Sequence, residues 1–591
     1  MQLTSQDAVQ MAMQQMQAGR WSEGESLCRQ VLAAEPNHAG ALHLLGVSAG
    51  TSGRTDEAIE LIRKAIKSNP NVAEYHTNLS KFLGDQSRYE EAIAAARRAI
   101  QLQPRLATAW NNLGEALRRS GQVSESAAAY LQAAKCQPDS AEFQKLAGAG
   151  LLETGRVEEA VAFLRRFAEI APAELKADAW YDLGVGLTAN RQLDEAIDAY
   201  RRCLAINPRH ESAWNNLGNA LKGTGRLDEA ADALGESLRL APDWGEALGN
   251  LGTVYMAQGR IESANDAFDE ALRKAPLQPV IHYNHGVLLL LQGDFERGWR
   301  EYEWRWKCEE VKLPTRFPVP PWRGEPLDGK TIMLHGEQGL GDSIQFIRYA
   351  PMVAARGGKV ILCVQPEVCR LLKDVPGVER AASHPKELPA CQTYCYLMDL
   401  PLAFETRLDS IPNSIPYLTP DPQLCRRWAG KLDQGADLKV GLAWAGRPTH
   451  VNNPWRTLNL SQLAPLSQVP GVTFYSLQKG AGSEQAGAGP TGMQLVDLTA
   501  EINDFADTAA LASHLDLIIT VDSAVAHLAG AIGKPVWILT PYAPDWRWML
   551  KREDSPWYPT ARLFRQAARG DWATVVERIR QQLSALAGNR S

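Results

Sequence analysis

Residues 214–242 have the sequence WNNLGNALKGTGRLDEAADALGESLRLAP, which predicts the architecture of the first half of the chain. Gly225 divides this stretch into two segments of helical composition, and Pro242 ends the second one. Glycine permits a left-handed turn between helices, alanine lets them approach closely, and proline stops the second helix. The stretch therefore predicts two antiparallel helices joined by a tight turn.

The same pattern recurs along the chain. A proline returns every 34 residues, apart from one spacing of 36 between Pro172 and Pro208, at Pro36, Pro70, Pro104, Pro138, Pro172, Pro208, Pro242 and Pro276. The turn glycines keep the same period at Gly19, Gly53, Gly121, Gly155, Gly225, Gly259 and Gly293, with Ser87 and Asn190 expected at the two remaining positions. Such a period predicts a stack of identical helical hairpins.

This pattern, with WNNLG at residues 110–114 and again at 214–218, resembles the tetratricopeptide repeat (TPR) family. The resemblance implies an all-α superhelical solenoid of about eight to nine repeats over residues 1–308.

One position in the first helix of each repeat is often asparagine, at Asn78, Asn112, Asn216, Asn250 and Asn284. In the family this helix lines the concave face, and the eukaryotic O-GlcNAc transferases hold protein substrates with a similar ladder. A carboxamide both donates and accepts hydrogen bonds, so the ladder could grip an extended peptide backbone. The alternative is that these side chains bond within the solenoid.

The composition changes after the repeats. Residues 309–329 contain five prolines, four of them clustered at residues 314–321, and predict a linker. Short apolar runs then alternate with helical stretches, which predicts parallel sheets in two blocks, residues 330–420 and 421–591. The expected strands lie at residues 331–335, 359–364, 438–445, 472–477, 515–521 and 536–540, and a helix is expected at 343–356.

The best-marked candidate site is TVDSAVAHLAGAIGKP at residues 520–535. An apolar strand ends at Val521, and the free N–H groups at the start of the following helix could bind an anion such as a diphosphate. The alternative is that Asp522 is an ordinary N-cap residue.

This motif is similar to the signature of the heptosyltransferase-like glycosyltransferases, which usually have glycine at the position of Ala524. The resemblance implies an α/β module of the GT-B fold, with two Rossmann-like lobes. It also implies that Asp522, Ser523 and Ala524 contact the sugar and diphosphate of a nucleotide-sugar, with His527 in support. The alternative for His527 is a buried core histidine.

In the family, the loop after residues 438–445 carries a cation for the diphosphate, and Arg456 matches it best. Lys479 is a second candidate, and for both residues the alternative is an exposed surface cation. In the first block, Gly341 and Asp342 resemble the Gly-Asp pair of the heptosyltransferases, whose carboxylate is the base. Asp342 is therefore our catalytic candidate, although it could also cap the following helix.

Composition narrows the classes of function. The net charge of −6 provides no positive electrostatic field that would attract a nucleic-acid backbone, so a nucleic-acid partner is not expected. The nine cysteines are scattered, which favours reduced thiols over a disulfide framework. The first 21 residues do not have the pattern of a signal peptide, and no run is long enough to span a membrane, so we expect a cytoplasmic protein. The chain has no Asp-any-Asp pair from residue 309 onward, so neither a metal nor another cofactor is expected.

The whole arrangement resembles bacterial fusions of TPR arrays to GT-B modules, some of which glycosylate flagellin. It implies a metal-independent, inverting transferase that moves a sugar to Ser or Thr of a protein held by the repeats. Two alternatives stay open, an envelope-glycan transferase docked by its repeats and an inactive scaffold. The base and sugar of the donor also stay open.

Overall fold

The computed structural model describes residues 4–308, 317–337, 339–432, 435, 437–447 and 453–588. The chain forms two compact units, Met1–Pro242 and Asp243–Ser591. Part of the predicted linker, residues 309–316, lies outside the described residues. The all-α repeats and the α/β part that the sequence predicts are both present.

The first unit is entirely helical in its described residues, and each helix packs on its neighbours in the chain. Its helices are α1 (Ser5–Gln17), α2 (Trp21–Ala34), α3 (Ala39–Thr51), α4 (Thr55–Ser68), α5 (Ala73–Asp85), α6 (Tyr89–Leu102), α7 (Ala107–Arg119), α8 (Val123–Cys136), α9 (Ala141–Glu153), α10 (Val157–Ile170), α11 (Lys176–Ala189), α12 (Leu193–Ile206), α13 (Glu211–Gly223) and α14 (Leu227–Leu240).

The turn positions follow the sequence pattern with one correction. Gly53 and Ser87 adopt left-handed φ angles of 80° and 61°, as the repeat predicts. Beyond Pro172, however, the left-handed residue is Arg191, at φ 59°, and not Asn190. The extra 3₁₀ turn Ala173–Leu175 accounts for the 36-residue spacing and shifts the following repeat.

The second unit begins with helices of the same kind, α15 (Gly245–Gln258), α16 (Ile261–Lys274), α17 (Pro279–Gln292) and α18 (Phe295–Tyr302). The last repeats therefore belong to the same compact unit as the α/β part. The indole of Trp299 in α18 donates from Nε1 to the carbonyl oxygen of Thr406 at 3.1 Å. Its ring also packs edge-on against Trp546, with the ring centroids 5.2 Å apart.

The α/β part contains two fully parallel sheets. The first has the order β3-β2-β1-β4 and the second the order β10-β9-β8-β5-β6-β7. We call the part with the first sheet the N lobe and the part with the second the C lobe. The N-lobe elements are β1 (Thr331–His335), α19 (Leu340–Phe346), α20 (Ala350–Ala355), β2 (Lys359–Cys363), α21 (Pro366–Leu372), β3 (Val378–Ala382), β4 (Thr393–Tyr396) and α22 (Leu400–Ala403).

The C lobe has α23 (Pro422–Ala429), β5 (Leu438–Ala443), α24 (Asn453–Arg456), β6 (Val472–Ser476), β7 (Leu495–Val496), α25 (Phe505–Ala512), β8 (Leu517–Val521), α26 (Ala524–Ala531), β9 (Val536–Thr540), β10 (Ala561–Arg565) and α27 (Trp572–Gly588). Parallel strands leave their carboxyl ends at one edge of a sheet, where ligands of such folds bind. Both expected site segments, those of Asp342 and Asp522, follow such strand ends.

The two lobes share one hydrophobic core. Phe346 of α19 is fully buried, and its ring stacks on that of Trp546. Trp557 of the C lobe packs edge-on against Phe346, with the ring centroids 5.8 Å apart. Helices α19 and α26 pack directly against each other. The strand ends of both lobes therefore meet across these two helices.

Over the stretches of chain that can be described, no helix is both long and apolar enough to cross a lipid bilayer.

The close packing of the repeat helices gives a testable prediction. A Cβ placed on Gly114 would lie 2.7 Å from the ring of Tyr130, whereas a Cβ on Gly235 would meet nothing within 4 Å. We expect Gly114→Ala to lower the free energy of unfolding by about 1–3 kcal/mol through overpacking. Gly235→Ala should raise it by about 0.5–1 kcal/mol, because alanine favours a helix. Urea midpoints of the helical circular dichroism signal check both, and equal effects would contradict the packing.

Candidate active site

Asp342 occupies the first turn of α19, directly after β1. The N-cap of this helix is Gly339, whose N–H donates to Asp342 Oδ2 at 2.7 Å. The other carboxylate oxygen, Oδ1, accepts a hydrogen bond from Arg547 Nη2 at 2.5 Å. Burial raises the pKa of Asp342, while Arg547 opposes that rise. The side chain therefore satisfies the helix start and is also one half of a buried ion pair.

Arg547 comes from the C lobe, in the 3₁₀ turn Trp546–Trp548 that follows β9. Its side chain is only 8% exposed and donates to three groups. Nε bonds Gln345 Oε1 at 2.7 Å, Nη1 bonds Asp545 Oδ1 at 2.9 Å, and Nη2 bonds Asp342. Burial lowers the pKa of Arg547, but the two carboxylates outweigh burial and hold it above its ordinary value. One guanidinium thus joins the N lobe to the C lobe.

Asp522 follows β8 and is not the helix cap that the sequence suggested as an alternative. The N-cap of α26 is Ser523, and the Asp522 carboxylate instead lies 3.8 Å from Arg456 Nη1. Both side chains are largely buried, at 10% and 13% exposure. Burial, reinforced by the nearby Asp545, raises the pKa of Asp522 to about 6 against the opposing effect of Arg456. A carboxylate and a guanidinium therefore face each other at the strand end.

Two buried N–H groups in this region have no hydrogen-bond acceptor in the described part of the chain. They are on Arg456 Nε and Gln345 Nε2. An unsatisfied buried donor costs about 1–3 kcal/mol. Since Arg456 faces Asp522 and Gln345 is bonded to Arg547, these donors belong to one polar cluster. An anion with several oxygens could satisfy them.

Gly341 marks where the lobes come closest. A Cβ at this position would lie 2.7 Å from His527 Cδ2 and 3.5 Å from the Cα of Ala524. His527 is 5% exposed; its Nδ1 is 2.9 Å from the hydroxyl of Tyr558, and its ring stacks on Trp548. Burial lowers the pKa of His527 to about 3, so its ring is neutral. This is the environment of a satisfied core histidine, and it fixes α26 against α19.

Ser523 and Ala524 are half-buried, with Ser523 as the N-cap of α26 and Ala524 as its first residue. The Ser523 hydroxyl lies 3.1 Å from that of Thr520. Lys479 follows β6, and its ammonium donates to the backbone carbonyls of Thr499 and Ile502. In this structure Lys479 therefore serves the loop after β7, while Arg456 reaches Asp522.

The asparagine series is half-buried, and its members in the first unit bond to the preceding repeat. Asn78 Nδ2 lies 2.8 Å from a ring nitrogen of His43, Asn112 donates to the carbonyl of Thr77, and Asn216 donates to the hydroxyl of Tyr181. These contacts match the alternative of bonding within the solenoid. In the second unit, Asn250 and Asn284 are half-buried at the equivalent positions.

Sequence reasoning missed the roles of Arg547, Asp545 and Gln345. The loop PDWRW at residues 544–548 is rich in aromatic residues. Its charged residues gave no local signal, because Arg547 and Asp342 lie 205 residues apart in the chain.

A second buried charge cluster lies next to the site. Arg305, just after α18, donates from Nη2 to Glu337 Oε1 at 2.8 Å and to Asp399 Oδ1 at 2.6 Å. Glu337 belongs to the loop between β1 and α19, and burial raises its pKa to about 8 despite Arg305. The residues that end the helical repeats therefore reach the loop that leads to Asp342.

Family models match both parts of the chain. Tetratricopeptide repeat models match residues 15–81, 77–141, 116–174, 177–210 and 209–276. The model of glycosyltransferase family 9 (heptosyltransferase) matches residues 448–561. This second match includes Arg456, Asp522 and Arg547.

The chain is also similar to individual proteins. Protein FlbA of Caulobacter vibrioides is 29% identical over 331 residues, which span 51% of this chain and 54% of FlbA. The TPR protein YrrB is 23% identical over 32% of this chain and 95% of YrrB, with a TM-score of 0.30. PilF of Pseudomonas aeruginosa is 20% identical over 34% of this chain and 92% of pilF, with a TM-score of 0.31.

The helical repeats, the α/β module with its polar cluster and the two kinds of family match agree with one another. The chain is therefore a fusion of tetratricopeptide repeats to a glycosyltransferase domain that resembles family 9.

Proposed function

We propose that this protein transfers a sugar from a nucleotide-sugar to a serine or threonine of a protein acceptor, without a metal ion and with inversion at the anomeric carbon. The observation that carries the proposal is the family 9 match across residues 448–561, which contain Arg456, Asp522 and Arg547. Those residues join Asp342 of the other lobe in one buried polar cluster.

The donor's diphosphate fits this cluster by charge and by hydrogen bonding. Among the described residues the Nε–H of Arg456 has no acceptor, and the start of α26 presents backbone N–H groups beside Asp522, which Arg456 faces. Guanidinium groups bind phosphate oxygens in a bidentate manner, and a helix N-terminus favours negative charge. Together they would stabilise the charge that builds on the leaving diphosphate, which is the role a metal plays in other transferases.

In the proposed step, the acceptor hydroxyl oxygen attacks the anomeric carbon while the bond from that carbon to the diphosphate oxygen breaks. Asp342 takes the hydroxyl proton, and the nucleoside diphosphate leaves with the bonding electrons. Burial of the Asp342 carboxyl, which raises its pKa, makes it a better base than an exposed aspartate.

The repeats support a protein acceptor, because TPR solenoids present a long surface for polypeptides. We propose that they hold the acceptor, with flagellin as one candidate, and that Asn250 and Asn284 contribute from the second unit. The heptosyltransferase description of the matched family favours a second candidate, a glycan acceptor with the repeats serving only for docking.

Acceptor type and catalytic role can be tested together. The purified protein is incubated with a panel of nucleotide-sugars and cell lysate, and intact protein masses are measured. We expect one protein to gain a single sugar mass, and Asp342→Ala to lower the rate roughly 10²–10⁴-fold, because the base is lost. If the donor is consumed and no protein gains mass, the acceptor is a glycan. If no donor is consumed, the domain is inactive.

The role of Arg456 in donor binding can be separated from that of Arg447, the other arginine of its loop. Arg456→Lys keeps the charge but loses the bidentate geometry, so we expect the KM for the donor to rise roughly tenfold. Arg447→Lys changes an exposed arginine nearby and should leave the KM unchanged. Steady-state kinetics with varied donor concentration measure both, and equal KM values for the two variants would remove Arg456 from the donor site.

Because burial disfavours the ionised form of Asp522, we expect the free energy of unfolding to depend on pH. Its pKa of about 6 in the folded protein lies above its ordinary value of 3.8, so the folded state binds more protons between these values. Stability is therefore lost as the pH rises through 6. We expect Asp522→Asn to raise the free energy of unfolding by about 1–3 kcal/mol at pH 8 and by about a third as much at pH 4.5, where the unfolded chain is already mostly ionised at this residue.

Asp545 provides the matched control, because Arg547 lowers its pKa by more than burial raises it. Its ionised form stabilises the fold, so Asp545→Asn should lower the unfolding temperature at pH 8. Differential scanning calorimetry at both pH values distinguishes the two carboxyl groups. A loss of stability in Asp522→Asn at pH 8 would show that its pairing with Arg456 outweighs the cost of burial.

A further inference from the structure

Arg547 is bonded on every nitrogen of its guanidinium. Gln345 accepts from Nε, Asp545 from Nη1 and Asp342 from Nη2, at 2.7, 2.9 and 2.5 Å. The group is clamped further by Trp546, whose ring centroid lies 4.2 Å from the guanidinium carbon. Two of these three acceptors are carboxylates, and one of them is the proposed base.

The pairing with Arg547 makes Asp342 a weaker base than burial alone would make it. One of its oxygens accepts the N–H of Gly339 and the other accepts the shortest of the Arg547 bonds. A carboxylate paired with a guanidinium holds a proton less readily than a free one. Proton transfer from an acceptor hydroxyl to Asp342 is therefore opposed for as long as Arg547 stays paired with it.

A diphosphate is a strong competitor for the same guanidinium. It offers several charged oxygens, and the planar fork of arginine matches phosphate as well as it matches carboxylate. Gln345, which accepts a hydrogen bond from Arg547, has no acceptor for its own Nε2–H group among the described residues. An anion near Arg547 would accept from this donor, which the present pairing leaves unsatisfied.

We propose that Arg547 binds the donor diphosphate in addition to Arg456. The diphosphate then displaces the carboxylate of Asp342 from the Arg547 guanidinium. The carboxylate then gains its full basicity only when a donor is in place. Arg547 is in this account a binding and positioning residue, and the inference rests on the proposed function, because it assumes a nucleotide-sugar donor at this cluster.

Competition for one group has a consequence for affinity. If Asp342 and the diphosphate compete for Arg547, removing the carboxylate must tighten the binding of the diphosphate, because coupling between two such partners is reciprocal. If Asp342 had only a structural role, removing its carboxylate would weaken the binding of the diphosphate, because α19 and the site would be loosened.

The test is isothermal titration calorimetry of the full-length chain with UDP, GDP, ADP, CDP and CMP. Asp342→Asn is the main variant, because an asparagine oxygen can still accept the Gly339 N–H; Asp342→Ser serves if that variant does not fold. We expect the nucleotide that binds the wild type to bind at least about fivefold more tightly to Asp342→Asn. That gain should vanish in an Arg547→Gln background.

Asp554→Asn is the control for charge. It removes one negative charge from an exposed aspartate that pairs with Arg552, so it should leave the affinity unchanged. Unchanged or weaker binding to Asp342→Asn, with clear binding to the wild type, overturns the inference and leaves the proposed function standing. Absence of binding by every nucleotide to every variant overturns the proposed function and the inference together.

Discussion

The candidate site depends on one interaction, the pairing of the buried Arg547 guanidinium with two carboxylates. The guanidinium takes carboxylate partners from both lobes, Asp342 from one and Asp545 from the other. Buried ion pairs of this kind add little stability, because desolvation costs about as much as the pairing gains. Their position at the strand ends, near N–H donors that have no acceptor among the described residues, favours the proposed role in binding an anion over a role in stability.

A second buried arginine, at the end of the helical repeats, forms the same kind of ion pairs with carboxylates of the N lobe. Arg305 follows the last helix of the repeats and is held by Glu337 and Asp399. Because Glu337 precedes α19, the loop before Asp342 is positioned by the end of the repeats as well as by its own lobe. This explains why the last repeats share a compact unit with the transferase domain.

Most of the architecture could be predicted from the sequence. The 34-residue period fixed the helical hairpins, and apolar runs gave β1 and β9 with their exact bounds. Four strands were missed because they are short and lack an extended apolar run: β3 (VERAA), β4 (TYCY), β10 (ARLFR) and the two-residue β7. The shift from Asn190 to Arg191 was missed because an inserted 3₁₀ turn leaves no periodic signal.

The site was predicted less completely than the fold. Asp522, Arg456 and Asp342 could be predicted as candidates because each lies in a recognisable motif after a predicted strand. Arg547 could not, since its partners are distant in sequence and a charged residue in an aromatic loop is no signal by itself. The geometry also separates Arg456, which reaches Asp522, from Lys479, whose ammonium bonds backbone carbonyls.

The most direct test of this account is a crystal structure of the full-length chain with a nucleoside diphosphate bound. We predict diphosphate oxygens within hydrogen-bond distance of Arg456 and of the first N–H groups of α26, next to Asp522. A diphosphate bound elsewhere, for example at Lys479 with Arg456 still paired to Asp522, would contradict it.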